Sequence, residues 1–360
     1  MRHPGNDALP TIRDVATAAG VSRATASRAL ADYGIVNALT REKVLAAAAE
    51  LGYVANVLAR AMRAGSTQTL GLIITEVGLS VFDLAIRAVI EAAHLRGYQV
   101  LVANTNEDLG AERDSVRVML EKQVDGLILV PSAVSDLDFI SPAALHGKPV
   151  VLLDRTLDEL ELPSVSADNH QGAVTAVGHL IERGHQKIAL VVATTRTEIV
   201  SNNRPVGLVS TLYDRVDGYH EAMAGANLSV DEGWLVYSPD TGAAALSAVH
   251  GLLNSANPPT AIIASNADVS LSILRVAKER GLTVGVDISV IGFDDAPWAP
   301  VLTPALTVID LPIEAMAMKA VDVLVAQIAS GSRSHSIGPI ALLPMQLLVR
   351  ESVAQLPVPA

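Results

Sequence analysis

The chain has 360 residues, half of them apolar, no cysteine and a formal net charge of −12, which predicts two or three domains with a sizeable core. The absence of thiols excludes disulfides and thiolate metal sites and suits a reducing compartment. The opening MRHPGNDALP lacks the apolar centre of a secretory signal and no run nears the roughly 18 apolar residues of a membrane helix, so a cytoplasmic protein with no membrane partner is expected.

Residues 11–30, TIRDVATAAGVSRATASRAL, read as two short helices joined at Gly20. Thr11 is placed to cap the first, Asp14 three residues on can answer it, and Ile12, Val15, Ala16 and Ala19 recur at helical spacing. Ser22 caps the second, in which Ala26, Ala29 and Leu30 share an apolar face, Ala24, Thr25 and Arg28 lie opposite, and Arg23 stands at the leading turn. This layout fits a helix-turn-helix that offers the start of its second helix to base edges, although two small helices about a glycine are also ordinary packing. Residues 32–37 read as a loop, Thr40 as the cap of a third helix through Val44, Leu45 and Ala48 to Leu51, Gly52 as its stop and Tyr53 as packing on the small core. Residues 56–63, NVLARAMR, read either as a short helix that needs something to pack on it or as plain linker. Charge supports a nucleic-acid partner at this end. Residues 1–66 hold eight Lys/Arg against five Asp/Glu, or +3, which leaves 18 bases and 33 acids, or −15, for the rest.

From Leu70 onward, apolar strand runs at 70–74, 100–103, 126–130, 150–153, 188–192, 235–237, 261–264 and 289–292 alternate with amphipathic stretches at 84–96, 172–183, 243–253 and 269–280. The alternation predicts parallel sheets with helices on both faces, and about 280 residues exceed what one such sheet usually takes, so two similar lobes are expected.

After the helix pair, the segments TREKVLAAAAELGYVANVLARAMRAG, TLGLIIT, LRGYQVLVANTNED, KQVDGLILVPS, PVVLLDR, LIERGHQKIALV, ISVIGFDD and LTPALTVIDLP follow in one order. With them the chain resembles the LacI/GalR family of transcription regulators over nearly its whole length. The resemblance implies an N-terminal all-α helix-turn-helix headpiece with a hinge helix, followed by a two-lobed α/β periplasmic-binding-protein-like core with parallel sheets. It sets the headpiece at 1–55, hinge helix and linker at 56–67, an effector-binding and dimerisation core at 68–351 and a tail at 352–360, with the chain crossing between lobes near 165, 290 and 310. The implied function is that of a homodimeric, sequence-specific regulator, usually a repressor, whose grip on double-stranded operator DNA is controlled by a sugar-like effector in the cleft.

The resemblance also assigns residues. Arg23, Ala24 and Arg28 match base-reading positions, Thr25, Ser27 and Asn56 match positions that mostly hold phosphates, and Arg60, Met62 and Arg63 lie in the hinge that pairs with its twin over the minor groove. Met62 stands where the family's wedge is usually leucine, and Ala55 where a proline is common. In the core, Arg215 and Asp294 match positions that hold the ligand, and Phe82, Asp154 and Asn266 match cleft-facing ones. Ligands of parallel sheets sit at the carboxyl ends of strands, and an arginine facing an aspartate suits sugar hydroxyls, or makes an interlobe salt bridge. The segment Leu79, Ser80, Val81, Phe82 replaces the family's NPFF-like run, and Ser265, Asn266, Ala267 its AND pattern. The loop at 194–213 is long for the family, and its Arg196, Asn202, Asn203 and Arg204 line the cleft or are solvated.

Enzyme readings find no support: there is no G-x-G-x-x-G, G-K-[ST], G-x-S-x-G or H-E-x-x-H motif, and no catalytic residue, cofactor or metal is expected. His170, His179 and His185 are close in sequence, do not share one helical face, and read as surface histidines. After Glu351 only SVAQLPVPA follows, too short for a heptad-repeat tail, so a dimer rather than a tetramer is expected. The alternative function is that of a solute-binding sensor without DNA affinity.

Overall fold

A computed structural model describes residues 10–30, 34–53, 66–78, 80–132, 136–141, 143–157, 160, 162–194, 199–200, 204–205, 207–239, 241–331 and 339–357. The chain divides into two compact units, residues 1–67 and 68–360.

In the first unit, helices α1 (Ile12–Ala18), α2 (Arg23–Leu30) and α3 (Ala38–Leu51) close over Val15, Ala16, Ala26, Ala29, Val44, Ala47 and Ala48. The core is mostly alanine and valine, so the helices pack closely but bury little area, and the stability of the unit leans on its caps. Both the backbone N–H and the hydroxyl of Thr11 donate to the Asp14 carboxylate, at 2.8 and 2.7 Å. Gly20 takes the left-handed conformation at φ 64° that ends α1, and the Thr25 N–H donates to Ser22 Oγ at 3.1 Å to start α2. The third helix begins before Thr40. Asn37 is its cap, accepting from the Leu39 N–H at 2.9 Å, because asparagine satisfies an orphan donor as well as threonine does and Ala38 and Leu39 are good helix formers. Gly52 stops α3 at φ 62° and Tyr53 packs on the core. The hinge stretch at 56–63 lies outside the described residues.

The second unit is two lobes, each a sheet layered between helices. The elements run β1 (Thr69–Ile74), α4 (Ser80–Leu95), β2 (Gln99–Asn104), α5 (Leu109–Glu121), β3 (Gly126–Leu129), β4 (Val150–Leu153) and β5 (Ser164–Ala167), then α6 (Asn169–Glu182), β6 (Ile188–Ala193), β7 (Ile199–Val200), β8 (Arg204–Pro205), α7 (Ser210–Gly225), β9 (Leu235–Ser238), α8 (Gly242–Leu253), β10 (Ala261–Ala264), α9 (Ala267–Glu279), β11 (Ser289–Phe293), β12 (Thr307–Asp310), α10 (Ile313–Ser330), β13 (Pro339–Leu343) and β14 (Gln346–Leu348). The first sheet has the order β13-β5-β4-β3-β1-β2 and is wholly parallel; the second has the order β14-β12-β11-β10-β6-β9, with only β14 antiparallel. Central strands such as β3, β4 and β10 are buried along their whole length, as parallel strands covered on both faces must be.

The chain passes from the first sheet to the second between β5 and α6, back between β12 and α10, and across again between β13 and β14. The crossing expected near 290 is therefore corrected: residues 289–293 are β11, a fully buried strand inside the second sheet, and the third passage lies at 343–346. The stretch at 352–356, expected as a tail, is laced to the second lobe. Ser352 Oγ donates to the Val290 carbonyl and accepts from the Thr307 N–H, and the Leu356 N–H donates to the Arg183 carbonyl at 2.8 Å. His185 is likewise corrected from surface to interior. It is 1% exposed, with Nδ1 bonded to Thr260 Oγ1 and Nε2 to Ser289 Oγ, both at 2.9 Å, so it ties β6 and β11 together at the edge nearest that strap. Among the described residues, no helix is long and apolar enough to cross a membrane.

Candidate functional site

On α2, the capped start presents Arg23 and Ala24 to solvent, with Thr25 half-buried and its hydroxyl 2.9 Å from Ser22 Oγ. Arg28 lies one turn on, half-buried, its Nε donating to the Ala24 carbonyl at 3.3 Å. Gly34, beside the Arg28 stem, takes the left-handed conformation at φ 72°. Ser27 is 7% exposed and belongs to the inner side of the helix, which sets it apart from the outward-facing candidates. The phosphate-matching and hinge candidates Asn56, Arg60, Met62 and Arg63 lie outside the described residues.

In the second unit, a cleft of about 430 Å³ opens between the lobes, and all five effector candidates, Phe82, Asp154, Arg215, Asn266 and Asp294, line it. Asp154 follows β4 and Asp294 follows β11, equivalent places in the two lobes. Each takes a left-handed backbone, φ 69° and 70°, and each backbone N–H donates at 2.9 Å to the next parallel strand, at Val165 and Ile309. Aspartate tolerates that conformation better than most residues, and it turns the carboxyl off the strand end into the cleft. Both side chains are buried, and each has one oxygen, Oδ1, without a hydrogen-bond partner.

Arg215 projects from α7 and is 5% exposed. Its Nε donates to Asn169 Oδ1 at 2.8 Å, its Nη1 to the Ser265 carbonyl, and its guanidinium lies 4.1 Å from the centre of the Phe293 ring. Burial draws its pKa down against the opposing pull of Asp294 and Asp154. Burial likewise raises the pKa of Asp154, opposed by Arg155 and Arg215. Asp294 is pushed up to about 6 by burial, with Arg215 resisting and Asp154 adding to the rise. Asn266 caps α9, its Oδ1 accepting from the Val269 N–H at 2.8 Å. Phe82 is 5% exposed and packs mainly in the first lobe.

Two residues absent from the sequence-based set, Arg155 and Glu107, line the cleft, and a third, Asn169, supports Arg215 from outside its lining. Arg155 makes a two-toothed ion pair with Glu107, at 2.9 and 2.6 Å, and also donates to the Pro131 carbonyl. Asn169, the first residue of α6, aims Arg215. The motif PVVLLDR contains Arg155, but nothing in the sequence pairs it with Glu107, 48 residues earlier. The lobes are also joined directly, the Thr156 N–H donating to Ser210 Oγ at 2.9 Å. The long loop ends sooner than expected, at 209, because Ser210 opens α7. Its 207–209 segment lines the cleft, β7 and β8 pair as a short antiparallel ladder, and Arg196, Asn202 and Asn203 lie outside the described residues.

Residues 11–56 match the model of bacterial regulatory proteins of the lacI family, and residues 177–353 match a periplasmic binding protein-like domain. The HTH-type transcriptional regulator AscG of Escherichia coli (strain K12) is 32% identical over 331 residues, covering 91% of this chain and 94% of that protein. The HTH-type transcriptional repressor CytR of the same strain is 29% identical and covers 99% of this chain and 100% of its own. Among solved structures, the lac repressor dimer bound to operator and the anti-inducer ONPF is similar with a TM-score of 0.82 at 28% identity, over 96% of this chain and 100% of that one. The complex of the transcriptional regulator CelR with cellobiose gives 0.68 at 28% identity over 95% and 99%. An outward-facing arginine helix in one unit, a two-lobed cleft in the other and a relative of this identity along nine tenths of the length agree: the chain belongs to the lacI family of DNA-binding bacterial transcription regulators.

Proposed function

We propose that the chain acts in the cytoplasm as a homodimeric repressor that reads a near-palindromic operator with Arg23, Ala24 and Arg28 of each α2 and is switched by a sugar-like effector held by Arg215, Asp154, Asp294, Asn266 and Phe82. The observation that carries this reading is the cleft, lined by a buried guanidinium and two buried carboxylates, each with one oxygen that has no hydrogen-bond partner. An effector shifts the equilibrium only by its difference in affinity for two lobe arrangements, and the Thr156–Ser210 bond is one contact that such arrangements exchange. Thr25, with Asn56, Arg60 and Arg63, supplies phosphate contacts in this reading, and Met62 the apolar wedge, while Ser27 is buried on the inner side of α2.

Dimerisation has its own support. The edge strand β2 exposes Leu101 and Val102, and α4 beside it exposes Ile90 and Leu95, the last at 83%. An apolar edge of this kind is a liability on a monomer and a natural seat for a second copy across a two-fold axis.

The test is fluorescence anisotropy of the full chain with the DNA upstream of its own coding sequence, with and without candidate sugars. Specific binding that one sugar class alters supports the reading. Indifference to every duplex returns the chain to the solute-sensor alternative.

A further inference from the structure

The three passages between the lobes meet around one side chain. Leu343, at the end of β13, pairs with Ala167 beside the first passage, and its carbonyl accepts from the Asp168 N–H at 2.9 Å. Gln346, which opens β14, pairs with Asp310 at the second passage. Met345 stands between these two clasps, and among the described residues it alone packs against the hydrophobic cores of both lobes. Its neighbours along the chain divide: Ala341 and Leu343 pack on the first lobe, Leu347 and Leu348 on the second.

The sulfur has a seat built for it. A Cβ placed on Gly172, buried in α6, would stand 2.8 Å from Met345 Sδ, 3.3 Å from Ile309 Cγ2 and 3.4 Å from Phe293 Cε1, so a side chain there would have to displace the thioether. An apolar side chain shared by two cores loses its contacts on one side whenever the lobes part, and it therefore favours the arrangement in which both seats are filled. Methionine suits such a joint, because its unbranched, flexible chain fills an irregular gap. The bond from the Thr156 N–H to Ser210 Oγ also spans the lobes, but a single neutral hydrogen bond contributes little net stability. We infer that Met345 is the positioning residue of the interlobe joint: its thioether, seated against Gly172, holds the lobes in the arrangement that brings Thr156 to Ser210. Its bearing on the switch rests on the effector reading of the cleft.

The experiment is hydrogen–deuterium exchange of the full chain, read at single amides and with no ligand or DNA. The Thr156 amide reports the interlobe bond, and the amides of Ile128 in β3 and Ile263 in β10 report the interior of each lobe. Met345→Ala empties the joint and is expected to speed exchange at Thr156 at least about fivefold while Ile128 and Ile263 keep wild-type protection, since local opening is separable from global unfolding. Met345→Leu keeps the apolar volume and is expected to stay within about twofold of the wild type at Thr156. Gly172→Ala displaces the sulfur from the other side and is expected to act as Met345→Ala does, which keeps the test available if that variant does not fold. Unchanged exchange at Thr156 in the alanine variants, an equal rise at Ile128 and Ile263, or a leucine variant as fast as the alanine one each overturns the inference. Operator binding by the wild type, measured separately, fails on its own if the regulator reading is wrong.

Discussion

Arg28 is held on α2 by the bond from its Nε to the Ala24 carbonyl, which removes part of its rotamer freedom before it meets a base edge. Arg28→Ala is expected to reduce discrimination between operator and random DNA by at least tenfold, since a two-toothed arginine contact is worth roughly 1–3 kcal/mol per base pair. Competition anisotropy checks this, and unchanged discrimination removes Arg28 from the interface. In the cleft, Asp294 is raised from 3.8 to about 6, so between those values the folded chain keeps a proton that the unfolded chain has released. Its contribution to stability is complete below 3.8 and is lost as pH rises through about 6. Urea unfolding of wild type and Asp294→Asn at about pH 5 and about pH 7.5 is expected to show a fall toward the higher pH that the variant lacks; parallel behaviour contradicts the shift. A hydroxyl donor favours the ionised carboxyl, so effector affinity should rise over the same interval. Asp154 and Asp294 are legible in the sequence because they directly follow apolar strand runs, and Arg215, which lies on α7, only through the family resemblance. Glu107 and Asn169 are not, because each is defined by a partner 48 or 46 residues away that only the folded sheet brings near.

At the scale of elements, α6 and α7 approach so closely that a Cβ on Gly218 would stand 2.3 Å from the His170 carbonyl oxygen. No rotamer relieves a clash with backbone, so Gly218→Ala must push the helices apart. Arg215 and its partner Asn169 lie on these two helices, and the variant is expected to lose about 1–3 kcal/mol of stability together with effector response. Differential scanning calorimetry and effector titration check it, and a variant with wild-type behaviour in both would show that the helices have slack. The headpiece helices and the long apolar strands were readable from caps and periodicity. The short strands β5 and β12, with mixed polarity, were not, since four residues such as SVSA or TVID carry no period that separates strand from loop. The misplaced crossing near 290 has another origin: it came from the family resemblance, whereas the apolar run at 289–292 already reads as the strand that lies between β10 and β12.

The whole molecule joins a small cationic unit to a large anionic one. The two-lobed plan followed from strand–helix alternation, whereas the lacing of 352–356 and His185 into the second lobe did not, because it depends on backbone groups far apart in sequence. If β2 and α4 carry the dimer, Val102→Asp buries a charge at the seam and should shift the chain to monomer in analytical ultracentrifugation, and a variant that stays dimeric places the interface elsewhere. The most direct test of the central claim is the affinity of the purified full chain for its own upstream DNA and for a scrambled duplex at two salt concentrations. The account predicts tight binding to the former that falls steeply with salt as phosphate contacts are lost, with the scrambled duplex weaker throughout. Equal, weak or absent binding to both at low salt would contradict it.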